Sequence, residues 1–387
     1  MLHLLLAIIY LSFISLGLPD GLLGAAWPTM YPEFGVSVSY AGVLSMIICV
    51  GTITSSLMSD WLTYKLGTGK ITAISVALTA GALLAFSVTD SFWLLCLWAI
   101  PYGLGAGSVD ACLNNYVALH YTSRHMSWLH CMWGLGASIG PFIMGAVLAG
   151  GSHWSFGYRY VGLMQLALSA GLLLSLPIWK GRQNSGAAGG EDIKPLPLGQ
   201  VVRIPGAREV MTAFFCYCAL EQTTGLWASS YLVLYKGIAP EIAASFASMF
   251  YIGITAGRGL NGFLTVKFSD TQLIRMGQGI ILVGICALLL PLGESVCLAG
   301  LILIGLGCAP IYPCIIHSTP EHFGIQNSQA MVGIQMASAY VGSCLAPPVF
   351  GLIANHITAA LMPVYLAVIL AVMFTAYQRM LKKVTVR

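Results

Sequence analysis

Three acidic residues stand inside long apolar runs of this chain: Asp20, Asp110 and Glu221. A carboxylate in such surroundings can load and release a proton, coordinate a cation, or accept hydrogen bonds from a hydroxyl-bearing solute. Each use requires a polar interior, because an acid at mid-depth of a membrane helix costs roughly 2.5–3.5 kcal/mol. Asp20 lies in Leu16-Gly-Leu-Pro-Asp-Gly-Leu, where Pro19 removes a helix donor and glycines flank the acid. The segment reads either as a broken helix lining a cavity or as a kink capped by the carboxylate. Asp110 precedes Asn114 by one helical turn, with Asn115 beside it, so the two share one polar stripe. That stripe can hold solute hydroxyls or hydrogen-bond between helices. Asp110 is the first choice for a proton-carrying group, Asp20 the second and Glu221 the third.

Other polar residues in the apolar runs extend the candidate set. Counted at about 1.5 Å per residue, His130 falls near the depth of Asn114, and Trp133 nearer that of Asp110. His130 suits a proton relay or a packing role equally, and Trp133 offers a flat apolar face to a ring. Glu221 and Gln222 are followed by Trp227 on the same segment, a pattern suited to solute or ion contact, or to an inert ion pair of Glu221 with some basic residue. Gln165, Gln335 and Tyr340 are candidates for a cavity lining or for contacts between helices. Arg258 reads either as an anion anchor or, with its long stem, as a residue that snorkels toward the cytoplasmic interface.

Several patterns resemble enzyme motifs but lack their context. Gly136-Ala-Ser138-Ile-Gly140 has the letters of a nucleophile elbow, yet it sits within one apolar run with no preceding strand. Gly103, Gly105 and Gly107, like Gly305 and Gly307, lack the βαβ setting of a dinucleotide fingerprint and read as close helix packing. There is no Walker A motif, no H-E-x-x-H and no metal-ligand spacing, so no catalytic residue, metal or cofactor is expected. The eleven cysteines are scattered, only Cys216 and Cys218 standing close together, and read as small apolar filler.

The elements that carry these residues follow from composition. A chain of 387 residues that is 58% hydrophobic and 8% charged falls far below the soluble norm of about one quarter charged. Continuous apolar runs near 20 residues select membrane helices over alternating strands. Such runs cover 2–28, 38–59, 70–89, 92–119, 126–150 and 157–179, then 208–234, 241–264, 272–292, 295–317, 327–355 and 358–380. The first lacks a basic leader, so it reads as an uncleaved helix. The expected fold is an all-α membrane protein of twelve transmembrane helices in two pseudo-symmetric six-helix bundles, residues 1–179 and 208–387. A polar linker, 180–207, joins them.

With both termini cytoplasmic, Lys65, Lys70, Arg124, Lys180, Arg182, Lys382 and Lys383 lie inside and only Arg159 and Lys236 outside. That bias points to a multi-pass protein of the cell inner membrane. The net charge of +4 sits in short loops without an RNA-type motif, so no nucleic acid partner is expected. An internal repeat supports the two halves: Gly136, Pro141 and Gly145 recur as Gly342, Pro347 and Gly351, 206 residues later.

The whole chain resembles the major facilitator superfamily. The segment Ser56-Leu-Met-Ser-Asp60 through Lys65, Gly67, Gly69 and Lys70 is similar to a degenerate form of that family's loop 2–3 signature. Within the superfamily, the acids of the first and fourth spans, Asp20 and Asp110, resemble those of the fucose-permease-like branch of sugar:proton symporters. The resemblance implies alternating-access transport of a small polar solute, a monosaccharide or polyol, with the two acids serving proton coupling and sugar recognition. It also implies a monomer in contact with membrane lipid. Sodium coupling, or export of drugs or lipids on the same fold, are the alternatives.

Overall fold

The computed structural model describes residues 2–36, 40–179, 196–238 and 240–385. Most of the expected 180–207 linker lies outside the described residues. The helices of the first half are α1 (Leu2–Gly17), α2 (Leu22–Glu33), α3 (Ala41–Leu57), α4 (Ser59–Leu66), α5 (Thr68–Phe86), α6 (Phe92–His120), α7 (Ser123–Ala149) and α8 (Ser155–Leu174). Those that follow are α9 (Leu198–Val201), α10 (Ala207–Leu234), α11 (Pro240–Leu264), α12 (Asp270–Leu289), α13 (Glu294–His317), α14 (Thr319–Phe323), α15 (Ile325–His356) and α16 (Met362–Thr385). Among the described residues, nine segments are long and apolar enough to cross a membrane. With α8, α10 and α11 they make up the twelve expected spans.

The first span is broken where proline predicts it. Leu18 N–H closes the last regular turn on Ile14 O, and then Asp20 N–H reaches only to Gly17 O and Leu22 N–H to Pro19 O. The tight turns between α1 and α2 place Asp20 at the break instead of on a regular helix face. Other prolines, such as Pro101 in α6 and Pro141 in α7, are absorbed within continuous helices. The start of α12 is fixed by a capping box, in which Ser269 Oγ accepts from Gln272 N–H and Gln272 returns a bond to the Ser269 N–H.

The chain divides into two compact units. One comprises residues 1–116 and 132–196, the other residues 117–131 and 197–387. Residues 117–131, expected with the first bundle, thus group with the second half of the chain.

The glycine-rich segments set how closely helices approach inside each unit. A Cβ on Gly103 would strike Ile48 O, and one on Gly305 would strike Phe250 O. Likewise Gly105 packs on Ser75 O and Gly307 on Gly277 O. Both members of each contact shift by 202 positions, so α6 meets α3 and α5 as α13 meets α11 and α12. The two halves thus repeat in packing too, at an offset of 202 in these helices against 206 for the Gly136 and Gly342 pattern. In the segment resembling the loop 2–3 signature, Gly67 adopts φ 79° between α4 and α5, a conformation that favours glycine. Asp60 Oδ2 on α4 accepts the N–H of Leu196 at 3.2 Å, tying down the chain where it is next described. Burial pushes the Asp60 carboxyl above its ordinary range, although this backbone bond opposes the shift.

Candidate functional site

Each unit carries its own set of polar groups on its apolar helices. In the first, Asp20 projects from the α1–α2 break and remains exposed, and Trp133 Nε1 on α7 donates to its Oδ2 at 2.9 Å. An indole N–H directed at a carboxylate is a charge-assisted bond when the acid is ionised. It also presents the edge and face of the ring beside the acid. Two residues 113 positions apart are thereby joined into one accessible acid–indole pair.

On α6 the predicted stripe is present. Asn114 Nδ2 donates to Asp110 Oδ1 at 2.8 Å and to the Asp110 backbone O at 3.0 Å, closing a local ring one turn long. Asp110 is 6% exposed, Asn114 0% and Asn115 6%, so this group is far less accessible than Asp20. Gln165 on α8 donates from Nε2 to Ser15 O at 2.6 Å, joining α8 to α1. A cavity of about 10 Å³ lies beside that bond, lined by Ser12, Ser15, Pro19, Thr79, Tyr102 and Gln165 among others. That is close to the smallest space that holds a single water. Among the described residues, Gln165 Oε1 and Ser15 Oγ have no hydrogen-bond partner.

In the second unit, Glu221 on α10 pairs with Arg258 on α11, Oε1 to Nη2 at 3.4 Å. Arg258 is 4% exposed and does not snorkel. Its guanidinium is held in the interior beside the Glu221 carboxylate, where opposite charges attract more strongly than in water. His130 packs edge-on against Tyr312 of α13 with ring centres 4.5 Å apart, and Phe214 and Tyr217 complete this aromatic cluster. Trp227 Nε1 donates to Pro347 O at 2.9 Å while its ring meets Phe350, so Trp227 joins α10 to α15. Gln335 Oε1 accepts from Thr319 Oγ1 at 3.1 Å. Gln222 is exposed and Tyr340 is half-buried on α15. The structure thus brings Asp20 to Trp133 and Asp110 to Asn114, whereas Gln165, His130, Trp227 and Gln335 sit in contacts between helices.

Sequence reasoning did not find a further cluster in this unit. Asp270, at the start of α12, accepts from Ser123 Oγ at 2.5 Å through Oδ1 and bonds His317 Nδ1 at 2.5 Å through Oδ2. His317 Nε2 lies 3.2 Å from Tyr121 O, so both ring nitrogens face acceptors and both must carry protons to satisfy them. Asn261 Nδ2 bonds Ser127 Oγ at 2.7 Å, and Trp128 packs against Phe263. These contacts join residues 117–131 to the second half. The chain distances of 147 and 196 residues left no local signal, although an acid, a serine and a histidine each beside a span end were visible separately.

Asp270→Ala should release this segment. Hydrogen bonds to charged groups contribute about 1.5–3 kcal/mol each, so amide exchange at Tyr121 to Arg124 should accelerate roughly tenfold or more. Gln272→Ala, which removes only the capping box, should leave those amides protected. Equal acceleration in both variants would assign the protection to the helix end and not to the Asp270 bonds.

Twelve apolar helical segments that carry carboxylates and amides within each unit define the class: a polytopic membrane protein. The sequence pattern of the Major Facilitator Superfamily matches residues 9–347, and the chain belongs to that family of transporters. Among curated relatives, Bypass of stop codon protein 6 of Saccharomyces cerevisiae is 25% identical over 286 residues, which are 68% of this chain and 57% of that protein. The matched region therefore spans little more than half of the yeast protein's length. The Glucose/mannose transporter GlcP of Bacillus subtilis is 22% identical over 313 residues, 79% of this chain and 77% of that one. Among solved structures, the transporter FucP in its outward conformation superposes with a TM-score of 0.78 at 16% identity, covering 96% of this chain and 98% of FucP. At that identity the likeness shows the fold.

Proposed function

We propose that this chain is a proton-coupled secondary transporter of a small polar solute, a monosaccharide or related polyol, working by alternating access as a monomer in the cell inner membrane. The observation that carries the reading is the accessible Asp20 carboxylate held by Trp133 at a break in the first span. Broken helices lining polar cavities are where carriers of this kind bind their cargo. A carboxylate beside an indole matches a sugar, whose hydroxyls need acceptors and whose ring carbons need an apolar face. The sugar transporter GlcP among the relatives supports the same substrate class.

Asp20 moves ahead of Asp110 as the group that exchanges a proton, because Asp20 is open whereas Asp110 is buried and already bonded by Asn114. Asn114 meets Asp110 with its amide nitrogen. A sodium site needs oxygens converging on the ion, so that orientation supports the proton over sodium. Glu221, beside Arg258, is the acid proposed for coupling in the second unit. The lysine and arginine bias supports cytoplasmic termini.

The test is uptake by proteoliposomes under an imposed proton or sodium gradient, after a thermal-shift panel of sugars, polyols, amino acids and amphiphiles selects the solute. Stabilisation by a sugar and accumulation driven by the proton gradient alone are expected. Accumulation that follows sodium and ignores protons would overturn the coupling. Stabilisation by amphiphiles only would favour the exporter reading.

A further inference from the structure

One groove has a lining that includes none of the acids discussed above. It has a volume of about 540 Å³ and lies between the first turns of α10 and residues 368–379 of α16, within the second unit. Val368, Ala371 and Val372 form an apolar wall, and Arg208 and Arg379 stand at its rim. All five are exposed. The hydroxyls of Thr212 and Thr375, also in the lining, donate back to their own helices, to Arg208 O and Ala371 O at 2.8 Å. They add no free donor to the groove, as suits a surface wetted by hydrocarbon.

The charges are arranged differently. Neither guanidinium forms a hydrogen bond or ion pair at contact distance among the described residues, and Arg208 acts on Glu209 only through space. Glu209, the acid in the groove, is taken by Lys383, whose ammonium pairs with its Oε1. The net local charge is therefore positive. Arg208 also lies in the first turn of α10, where the helix dipole disfavours a cation. An anion seated between Arg208 and Arg379 would relieve that mismatch and engage two planar donor forks suited to phosphate oxygens. Arg379, Lys382 and Lys383 are on the end of the bundle assigned to the cytoplasmic side, where anionic lipid headgroups attract basic residues.

We infer that the groove between α10 and α16 binds an anionic phospholipid, with its phosphodiester between Arg208 and Arg379 and an acyl chain along Val368, Ala371 and Val372. The paired requirement for charge at one end and hydrocarbon at the other distinguishes a lipid from a soluble anion. The site is independent of which solute the protein carries.

Native mass spectrometry of the detergent-purified full chain, titrated with phosphatidylglycerol, phosphatidylcholine or inorganic phosphate, tests this. Phosphatidylglycerol should be retained well above phosphatidylcholine, and millimolar inorganic phosphate should not displace it. Each arginine contributes about fivefold near a membrane surface, so Arg208→Gln with Arg379→Gln should weaken phosphatidylglycerol binding roughly 30-fold. Arg208→Lys with Arg379→Lys should weaken it less, since the charge remains and only the forks are lost. Arg159→Gln, which removes one charge elsewhere, should have no effect. If the double glutamine protein does not fold, Arg379→Gln alone should still give about a fivefold loss. Undiminished binding in the glutamine variants, equal retention of phosphatidylcholine, displacement by inorganic phosphate, or the same loss in Arg159→Gln would each overturn the assignment.

Discussion

Proteoliposomes containing Asp20→Asn protein should fail to accumulate solute under a proton gradient, their uptake falling to that of protein-free vesicles. Counterflow of labelled against unlabelled solute should persist. Asparagine keeps the size and the acceptor for Trp133 Nε1 but cannot carry a proton, so it separates coupling from binding. A carboxylate that merely caps the α1–α2 break would give a different result: with the break set by Pro19 and the acceptor retained, both driven uptake and counterflow would survive. Trp133→Phe complements the test, because it removes the 2.9 Å bond while leaving an apolar ring. Losing one bond to a charged group costs about 1.5–3 kcal/mol. If Trp133 holds Asp20 in place for the solute, Trp133→Phe should raise the half-saturating concentration at least several-fold while accumulation remains proton-driven.

What could be read before the structure was local or repetitive. Pro19 next to Asp20 announced a break because a missing donor acts within one turn. Asp110 and Asn114 announced their bond because four residues is one turn of any helix. The glycines of α6 and α13 announced close packing, and the structure adds the partners, Ile48 and Ser75 against Phe250 and Gly277. What could not be read depends on which helices become neighbours. Arg258 seemed free to reach a membrane surface, since only the fold puts it beside an acid 37 residues earlier. Ser123, Asp270 and His317 looked like ordinary residues at span ends until the fold assembled them. Trp227 and Gln335 had the composition of a cavity lining; Trp227 Nε1 bonds Pro347 O and Gln335 Oε1 bonds Thr319, while Gln335 Nε2 has no partner among the described residues, so polarity within an apolar run signals a partner without saying whether it is a solute or another helix.

The Glu221 and Arg258 pair decides between those two meanings for the second unit. Removing one partner leaves the other charge buried and uncompensated, at a cost of about 3–5 kcal/mol. Arg258→Met should therefore lower the unfolding midpoint of the detergent-purified protein sharply, with Glu221→Leu doing the same because it removes the carboxylate that faces the guanidinium. The double variant should recover most of the loss, since exchanging a buried pair for apolar groups of similar volume is often neutral or stabilising. A cycle built from these four proteins isolates the pairwise contribution, provided the side chains of Tyr217 and Tyr312 do not repack. Transport supplies the second readout. If the pair only fastens α10 to α11, the refolded double variant should transport as the parent does. With Glu221 as a coupling acid, the double variant should be stable yet unable to drive accumulation. Stability restored together with proton-driven uptake would remove Glu221 from the coupling machinery and leave Asp20 and Asp110 to account for it.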